Sequence, residues 1–429
     1  MIGLDGSLAV WAVVIAFAMS VTLAVTLFLK PKLAVLLYVL LMPIMQPLMD
    51  QTIAIPGSRA TIGIGGLFQV IIFLVGTFVI ARSNVRGKRI PVIAIFLVFL
   101  FIIAISIVSA PDTIRAIKEL LRIASFTVMF LIAVTSFKSE KDIRNFVTVL
   151  FLSLVIPFVF GIYQEITQTG YMSLRTSYNL PAHRYNRIMG TFGNPVVYAM
   201  FINFPLLLCL SFGMDKQTPP VKRFLFFCTA IPLCATLFLT YTRSCWFGMI
   251  AAIMFMGIKR NRGLIFVVPV LLLLFFAFAP LTSIRLGEFS TGKLSFSGRI
   301  EGHTFMLPKV FEQPILGHGL TSFGDYTTQS DHLRLLLETG FLGYAGFLCL
   351  LAVLFKSVNK SYGLANAGVE KSFVLAYLAF FICVLVVGFS ETNAVFQYYV
   401  WIPAGIAVST SVYKEKKEAK AKDAMEAYR

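Results

Sequence analysis

The sequence predicts an all-α protein that crosses a membrane many times. Of its 429 residues, 58% are hydrophobic and 13% are charged, whereas a soluble globular protein carries about 25% charged residues. Apolar runs long enough to span a bilayer recur along the chain, and basic residues gather in every second connector between these runs. We therefore expect a single integral membrane domain over residues 1–429 with about 12 or 13 transmembrane helices.

The candidate spans follow one another with short connectors. A span needs about 20 residues, and the first run, which lacks a basic segment before it, is interpreted as a span rather than a cleaved signal peptide. The run at 244–258 is short and the run at 33–49 contains two prolines, which leaves the count between 12 and 13. The candidates are residues 8–29, 33–49, 62–81, 90–110, 119–137, 143–163, 194–213, 222–241, 244–258, 263–282, 332–356, 371–389 and 393–412.

Lysine and arginine indicate which connectors face the cytoplasm, because cytoplasmic loops carry an excess of both. This places a basic tail at 413–429 inside, together with the connectors 30–32, 82–89, 137–144, 215–223, 258–263 and 356–360. The remaining connectors then face outward. They include a loop at 164–193 and a large loop at 283–331, which we interpret as catalytic.

The net charge is +17. Because cytoplasmic loops of membrane proteins carry an excess of Lys and Arg, this charge does not indicate a nucleic-acid partner. The inward set then holds 16 Lys and 8 Arg, and the outward set holds 3 Lys and 10 Arg. Arginine is a planar fork that binds phosphate oxygens in pairs, whereas lysine is a point charge. The outward excess of arginine predicts a phosphate-bearing ligand at the outer surface, with contacts to lipid phosphates as the alternative.

Two outward connectors carry arginines at candidate sites. Arg184 and Arg187 precede a glycine-rich turn that contains Gly193, and Asn194 is placed to cap the next helix, whose N–H groups favour anions. The alternative is an ordinary capped helix with surface arginines. Arg243 lies in a very short outward connector, where topology disfavours a positive charge, so we interpret it as functional.

Arg122 belongs to a helical face that forms either an interfacial anchor or a wall of the site.

Residues 297–346 form the longest interval without a bilayer-length apolar run, and they hold three of the four histidines. Arg299 lies at the start of this stretch, followed by a loosely helical segment at 298–311 that we expect to lie on the membrane. Ser330 or Asp331 is placed to cap the next helix. His332 then lies in the first turn, where the helix dipole disfavours the imidazolium and leaves the neutral ring that a general base needs.

Along this helix, His332, Leu336, Gly340 and Gly343 are expected to share one face, where small residues let a second helix or a lipid chain approach closely. The other histidines, His303 and His318, are too far apart along the chain, with no metal-binding spacing, to predict a metal site. The sequence also contains no phosphate-binding loop and no dinucleotide fingerprint, so we expect no cofactor.

Several segments of this chain resemble the O-antigen ligase and polymerase superfamily of bacterial envelope glycan transferases. They are GTFGNPVVYAMF (190–201), YTRS (241–244), SGR (297–299), PILGHG (314–319) and DHLRLLLETGFLGYAG (331–346). Members of this superfamily have about a dozen spans, a fold related to the C-type membrane glycosyltransferases and a glycan donor carried on undecaprenyl pyrophosphate. Transfer in this superfamily is thought to need no metal.

The resemblance implies roles for particular residues. His332 corresponds to the base that deprotonates the acceptor hydroxyl, and Gly343 and Gly346 correspond to small residues that follow it. Arg243 and Arg299 correspond to residues that bind the pyrophosphate, with Arg187 assisting. O-antigen ligases usually have Asn, Ser or Gln directly after the histidine, whereas this chain has Leu333, which weakens the ligase relative to the polymerase.

The expected function is therefore that of an O-antigen ligase-like glycosyltransferase in lipopolysaccharide biosynthesis. It would move a glycan to a sugar hydroxyl of the lipid A core at the periplasmic face of the bacterial inner membrane. A polymerase would instead use another lipid-linked repeat unit as acceptor. A lipid-linked glycan flippase or transporter is a third alternative, which the scarcity of ionisable residues at the centres of the spans disfavours.

Overall fold

A computed structural model of the chain describes residues 6–49, 52–54, 61–82, 91–169, 172–173, 186–266, 268–269, 273, 295–323, 330–392 and 394–427. The larger helices among them are α1 (Gly6–Leu29), α2 (Pro31–Met49), α3 (Ile64–Arg82), α4 (Pro91–Ser106), α5 (Thr113–Ser136), α6 (Glu140–Thr167), α7 (Pro195–Gly213), α8 (Pro220–Leu239), α9 (Arg243–Lys259), α10 (Ser295–Glu312), α11 (Asp331–Leu364), α12 (Val369–Gly388) and α13 (Tyr398–Ala427). Short 3₁₀ turns follow α4 (Ile107–Ser109) and α9 (Arg262–Phe266).

Strands make up very little of the described chain. β1 (Thr52–Ala54) pairs antiparallel with β2 (Thr61–Gly63), and β3 (Met172–Ser173) pairs antiparallel with β4 (Asn186–Arg187). The first pair follows α2, and the second lies between α6 and α7 in the loop predicted at 164–193.

Six of the described helices are long and apolar enough to cross a membrane, which confirms an all-α, multi-pass membrane protein. They are Pro91–Ser109, Glu140–Thr167, Pro195–Gly213, Pro220–Leu239, Asp331–Leu364 and Val369–Gly388. Shorter apolar helices lie at Phe17–Leu29, Pro31–Gln46 and Phe68–Arg82. The candidate span at 263–282 falls mostly outside the described residues.

Local sequence explains where several helices begin. The side chain of Asp112 accepts a hydrogen bond from the backbone N–H of Arg115 at the start of α5, and Ser139 forms a reciprocal capping box with Asp142 at the start of α6. Asn194 caps α7 as predicted. Such caps satisfy backbone N–H groups that have no partner within the helix.

The protein core surrounds α12, which packs against α6, α7, α9, α11 and α13. Tyr377 of α12 and Trp401 of α13 are fully buried. Other helices leave large apolar side chains exposed, such as Phe101 on α4 and Phe224 on α8, each 67% exposed. Apolar side chains outside a well-packed core are the pattern expected of lipid-facing helices.

Ion pairs between distant connectors define one end of the molecule. Lys32 Nζ lies 2.6 Å from Asp142 Oδ1, and Arg260 Nη2 lies 2.9 Å from Asp215 Oδ1. In both pairs the partners come from connectors that the lysine and arginine pattern assigns to the same side. We call this end the basic end. Here α13 extends into the tail, and the helices that finish are α1, α3, α5, α7, α9 and the long segment of α11.

Contacts at the other end join the remaining connectors. The hydroxyl of Ser244, at the start of α9, donates to Glu391 Oε1 after α12 at 3.2 Å, and Arg122 Nη1 near the start of α5 donates to the Phe396 carbonyl oxygen at 2.9 Å. We call this end the site end. The described connectors thus fall into the two groups that the basic residues predict.

A sharp kink divides α11 at Gly340, whose φ of 64° and ψ of −171° lie outside the helical range. A Cβ at this position would lie 2.3 Å from the Ile315 carbonyl oxygen, so only glycine fits. The kink is held by the 313–319 turn, because the N–H of Phe341 donates to the Pro314 carbonyl oxygen at 2.7 Å. The prediction that His332, Leu336, Gly340 and Gly343 share one helical face is therefore wrong.

The two small residues beyond the kink pack against protein. A Cβ at Gly343 would lie 2.1 Å from Thr339 Oγ1, and one at Gly346 would lie 3.3 Å from Ile102 Cδ1 on α4. Gly343 thus accommodates the kink, and Gly346 allows close packing of α4.

Candidate active site

The site is built where the start of α11 meets the connector between α12 and α13. The hydroxyl of Ser330, which caps α11, donates to the Gly388 carbonyl oxygen at 3.3 Å. The N–H of Asp331 donates to the Glu391 carbonyl oxygen at 3.2 Å, and Asp331 Oδ2 accepts from the N–H of Val395 at 2.9 Å. These three bonds fix the position of the following residue, His332.

His332 is 8% exposed and lies among aromatic side chains. Its ring stacks on Phe389 with the ring centroids 4.1 Å apart and 15° between the planes, and it meets Phe347 edge to face with the ring centroids 5.8 Å apart. A Cβ added to Gly388 would lie 3.7 Å from Nε2. Gly388 at the end of α12 and Phe389 directly after it therefore shape the space around the imidazole.

The two ring nitrogens of His332 have different surroundings. Nδ1 lies 3.1 Å from the hydroxyl oxygen of Tyr344. Nε2 is buried and has no hydrogen-bond partner among the described residues. When Nδ1 carries the ring proton and donates a hydrogen bond to the hydroxyl oxygen of Tyr344, Nε2 keeps a lone pair that can accept a proton. Buried polar atoms are nearly always paired, so Nε2 is the atom here that a water or a substrate hydroxyl would satisfy.

The Gly340 kink makes the bond between His332 and Tyr344 possible. The two residues are 12 positions apart, which in a straight helix corresponds to about 18 Å at 1.5 Å per residue. The short segment 331–339 turns back instead, so that His332 meets the first turns of the long segment that follows.

Arg243 lies at the start of α9, next to a residue that contacts the connector between α12 and α13. It is the first residue of α9 and is exposed, and its neighbour Ser244 donates to Glu391 Oε1 at 3.2 Å. The carbonyl group of the same Glu391 accepts from Asp331, the neighbour of His332. Arg243 and His332 are therefore each next in sequence to a residue that binds Glu391, so Glu391 joins the two chain segments that carry these predicted site residues.

Arg187 supports the turn that leads to Arg243. It is half-buried, its Nε donates to the Thr240 carbonyl oxygen at 2.9 Å, and its Nη2 donates to Thr242 Oγ1 at 2.9 Å. Tyr241, between these two threonines, has a φ of 49°, which is uncommon for a residue other than glycine. Arg187 thus uses part of its fork to hold a strained turn.

The other predicted ligand arginines are only partly visible. Arg184 lies outside the described residues. Arg299 lies in α10, which confirms the helix expected at 298–311, but its side chain lies outside the described residues. Their contacts with a pyrophosphate stay predictions.

The Gly193–Asn194 turn has the predicted geometry. Gly193 has a φ of 66°, and Asn194 Oδ1 accepts from the N–H of Val196 at 2.8 Å. Gln164 of α6 holds Gly190, three residues before Gly193, since its Oε1 accepts from the N–H of Gly190 at 3.0 Å. The cap is thus established, and its use as a phosphate cradle stays a prediction.

Two of the ten outward arginines form part of a buried ion-pair network. Glu119 Oε1 lies 2.6 Å from Arg122 Nη2 and 2.9 Å from Arg334 Nη2, and Glu338 Oε2 lies 3.7 Å from Arg334 Nε. Two carboxylates thus balance two guanidinium groups. Arg122 is therefore a support that joins α5, α11 and the connector, and the arginine excess available to a phosphate is smaller than the sequence count indicated.

The two other histidines of the described residues, His303 and His318, lie on α10 and in the turn that follows it. The backbone N–H of His318 donates to the Leu337 carbonyl oxygen at 2.9 Å, which ties the 313–319 turn to the end of the short α11 segment, and its Nε2 lies 3.4 Å from Glu312 Oε2. His303 is half-buried on α10. Within the described residues, no group of three His, Cys, Asp or Glu side chains is arranged to hold a metal ion.

Sequence reasoning missed three residues of the site, Glu391, Phe389 and Tyr344. Glu391 carried a usable signal, because it is an acid in a short outward connector that contains few charges. Phe389 ends an apolar run and has no distinguishing sequence feature. Tyr344 could not be connected with His332 without knowledge of the kink.

No protein-family model matches the sequence, and no curated protein matches it.

Proposed function

We propose that this protein is a membrane glycosyltransferase that moves a glycan from undecaprenyl pyrophosphate to a sugar hydroxyl. The observation that carries the proposal is the buried Nε2 atom of His332, which has no hydrogen-bond partner among the described residues. Glu391 joins the segment that carries His332 to the start of α9, where Arg243 lies. A proton acceptor and a cation on joined segments suit a reaction in which a hydroxyl loses a proton and a phosphate gains charge.

The residues would divide the work as follows. The acceptor hydroxyl gives its proton to His332 Nε2, and its oxygen forms a bond to the anomeric carbon of the donor sugar. The bond between that carbon and the pyrophosphate oxygen breaks, and the electron pair leaves with the pyrophosphate. Arg243, with Arg299, would stabilise the charge that develops on the phosphate oxygens.

Two kinds of sugar are candidates for the acceptor of the glycan. A lipid A core sugar would make the protein a ligase, and a sugar of a second lipid-linked repeat unit would make it a polymerase. Leu333 favours the polymerase, because its side chain is 8% exposed and packs with Met306 and Val310 of α10. It therefore supplies none of the polar character that ligases usually have at this position. The proposed location is the bacterial inner membrane with the site end facing the periplasm.

The decisive experiment is a transfer assay with purified protein, a lipid-linked glycan and each of the two acceptors. We expect His332→Ala to lower the transfer rate by about 10²- to 10⁴-fold, the usual contribution of a general base, and His318→Ala to leave it near the wild-type value. Melting temperatures of both variants separate loss of chemistry from loss of fold.

The same assay tests the alternatives. Near-normal transfer by His332→Ala would remove the base assignment, and strong inhibition by EDTA that Mg²⁺ or Mn²⁺ restores would contradict a metal-free reaction. Movement of the lipid-linked glycan across vesicles without a new glycosidic bond would support the flippase instead.

A further inference from the structure

A cavity lies at the basic end, far from the proposed active site. It forms where the turn between α1 and α2, the last part of α3 and the turn between α5 and α6 meet. Its volume is about 370 Å³, and Lys30, Lys32, Val79, Ile80, Ser136 and Lys138 are among the residues that line it. These residues lie at the ends of their helices, which is the level at which we expect the membrane to meet water.

Helix packing explains why the cavity exists. Gly76 brings α3 into close contact with α5, since a Cβ there would lie 2.3 Å from Val128 Cγ1. Nearer the helix ends, α5 carries the small polar side chains of Thr135 and Ser136, and these line the cavity together with Val79 and Ile80 of α3. Small side chains at the end of a tight helix contact leave space between the helices.

The cavity has more positive charge than its neighbours neutralise. Lys32 pairs with Asp142 at 2.6 Å, and Asp142 Oδ2 also accepts from the backbone N–H groups of Lys138 and Ser139. Lys30 and Lys138 are exposed and make no ion pair among the described residues. Of the three lysines that line the cavity, only Lys32 is therefore paired with a carboxylate among the described residues. Membrane topology accounts for lysines on this side of the protein, but it does not require lysines from two separate connectors to meet at one cavity.

The surface beside the cavity is apolar and aromatic. Phe28 and Phe78 stack with ring centroids 5.7 Å apart, and they are 47% and 55% exposed. Leu29, directly before Lys30, is 66% exposed. A ligand at this position would therefore meet cations at one end and a hydrocarbon surface at the other.

We propose that this cavity binds one anionic phospholipid, with its phosphate between Lys30 and Lys138 and its acyl chains along the Phe28–Phe78 surface. Basic pockets between membrane helices are known to suit anionic head groups, and an ammonium group gives phosphate a charge-assisted hydrogen bond. The aromatic surface beside the lysines favours a lipid over soluble phosphate. This site is independent of the proposed transferase function, because none of its residues lies at the site end.

Native mass spectrometry of the purified full-length protein tests the proposal, with phosphatidylglycerol and phosphatidylcholine as probes. The wild type should bind one phosphatidylglycerol molecule in preference to phosphatidylcholine. Lys30→Gln with Lys138→Gln should weaken this binding by about 30-fold, since each lysine near an anionic surface contributes about 1 kcal/mol. Lys30→Arg with Lys138→Arg should keep it.

A matched control removes two charges from the same end outside the cavity. Lys216→Gln with Lys222→Gln, both exposed, should leave phosphatidylglycerol binding unchanged. Equal loss in both double glutamine variants, or equal binding of the two lipids, would overturn the site. Inorganic phosphate supplies the last arm: if it raises the melting temperature of the wild type as much as phosphatidylglycerol does, the ligand is a soluble anion and the lipid assignment is wrong.

Discussion

The two ends of this molecule differ in how far they enclose their charged side chains. At the basic end, the paired side chains of Lys360 and Glu415 are 61% and 48% exposed, and Lys32 is 44% exposed in its pair with Asp142. At the site end, Glu119 is 13% exposed, Arg334 is 5% exposed and Glu338 is 1% exposed. The basic end thus keeps some of its charges close to water, although Arg260 and Asp215 there are only 21% and 5% exposed, whereas every member of the site-end network is enclosed.

This difference indicates different roles for the charges. An exposed pair contributes little to stability, typically 0 to about 1 kcal/mol, so lysines at the basic end can serve topology without fixing a structure. A buried pair makes each partner depend on the other, because an isolated buried charge is strongly destabilising. At the site end the network therefore fixes α5, α11 and the connector around His332.

The largest expected effect comes from breaking the buried network. Glu119→Gln leaves the guanidinium groups of Arg122 and Arg334 without their shared carboxylate, and we expect a loss of about 3–5 kcal/mol in the free energy of unfolding. Glu415→Gln removes an acid from an exposed pair and should cost less than about 1 kcal/mol. Denaturant unfolding of both variants in detergent measures the difference, and similar small losses would show that the site end is not held by this network.

A smaller effect is expected from exchanging arginine and lysine at the two ends of α9. Arg243→Lys removes the fork that would grip two phosphate oxygens, and a charge-assisted hydrogen bond contributes about 1.5–3 kcal/mol. We therefore expect kcat/KM for glycan transfer to fall by about 10- to 100-fold. Lys259→Arg, in the last turn of the same helix, should leave it unchanged. A fully active Arg243→Lys variant would reduce Arg243 to a surface charge.

Sequence alone predicts the features that depend on short segments. Apolar runs predict the helices, and the alternation of basic connectors predicts which connectors share an end. Local cap patterns predict the starts of α7 at Asn194 and of α11 at Ser330, and the first turn of α11 singles out His332. Each of these features is decided by a few neighbouring residues and by the preference of apolar side chains for lipid.

The remaining features depend on contacts between distant residues. Arg334 and Glu119 are 215 positions apart, so the sequence does not show that they pair. A count of outward charges therefore includes Arg122 and Arg334 as if both were available to a ligand. The kink at Gly340 is decided by the carbonyl groups of the 313–319 turn, and a helical-face argument assumes a straight helix. Glu391 becomes part of the site only because α9 and α11 both reach its connector.

The smallest expected effect tests the contact that the kink creates. Tyr344→Phe removes the hydroxyl group that His332 Nδ1 faces at 3.1 Å and keeps the ring. Because one neutral hydrogen bond contributes about 0.5–1.5 kcal/mol, kcat should fall by up to about tenfold, with KM and the melting temperature unchanged. Tyr362→Phe makes the same change near the basic end of α11 and should leave kcat unaltered. A fall in melting temperature without a change in kcat would make Tyr344 a packing residue. A fall in kcat alone, absent from the Tyr362→Phe control, would support a role for Tyr344 in orienting the imidazole of His332.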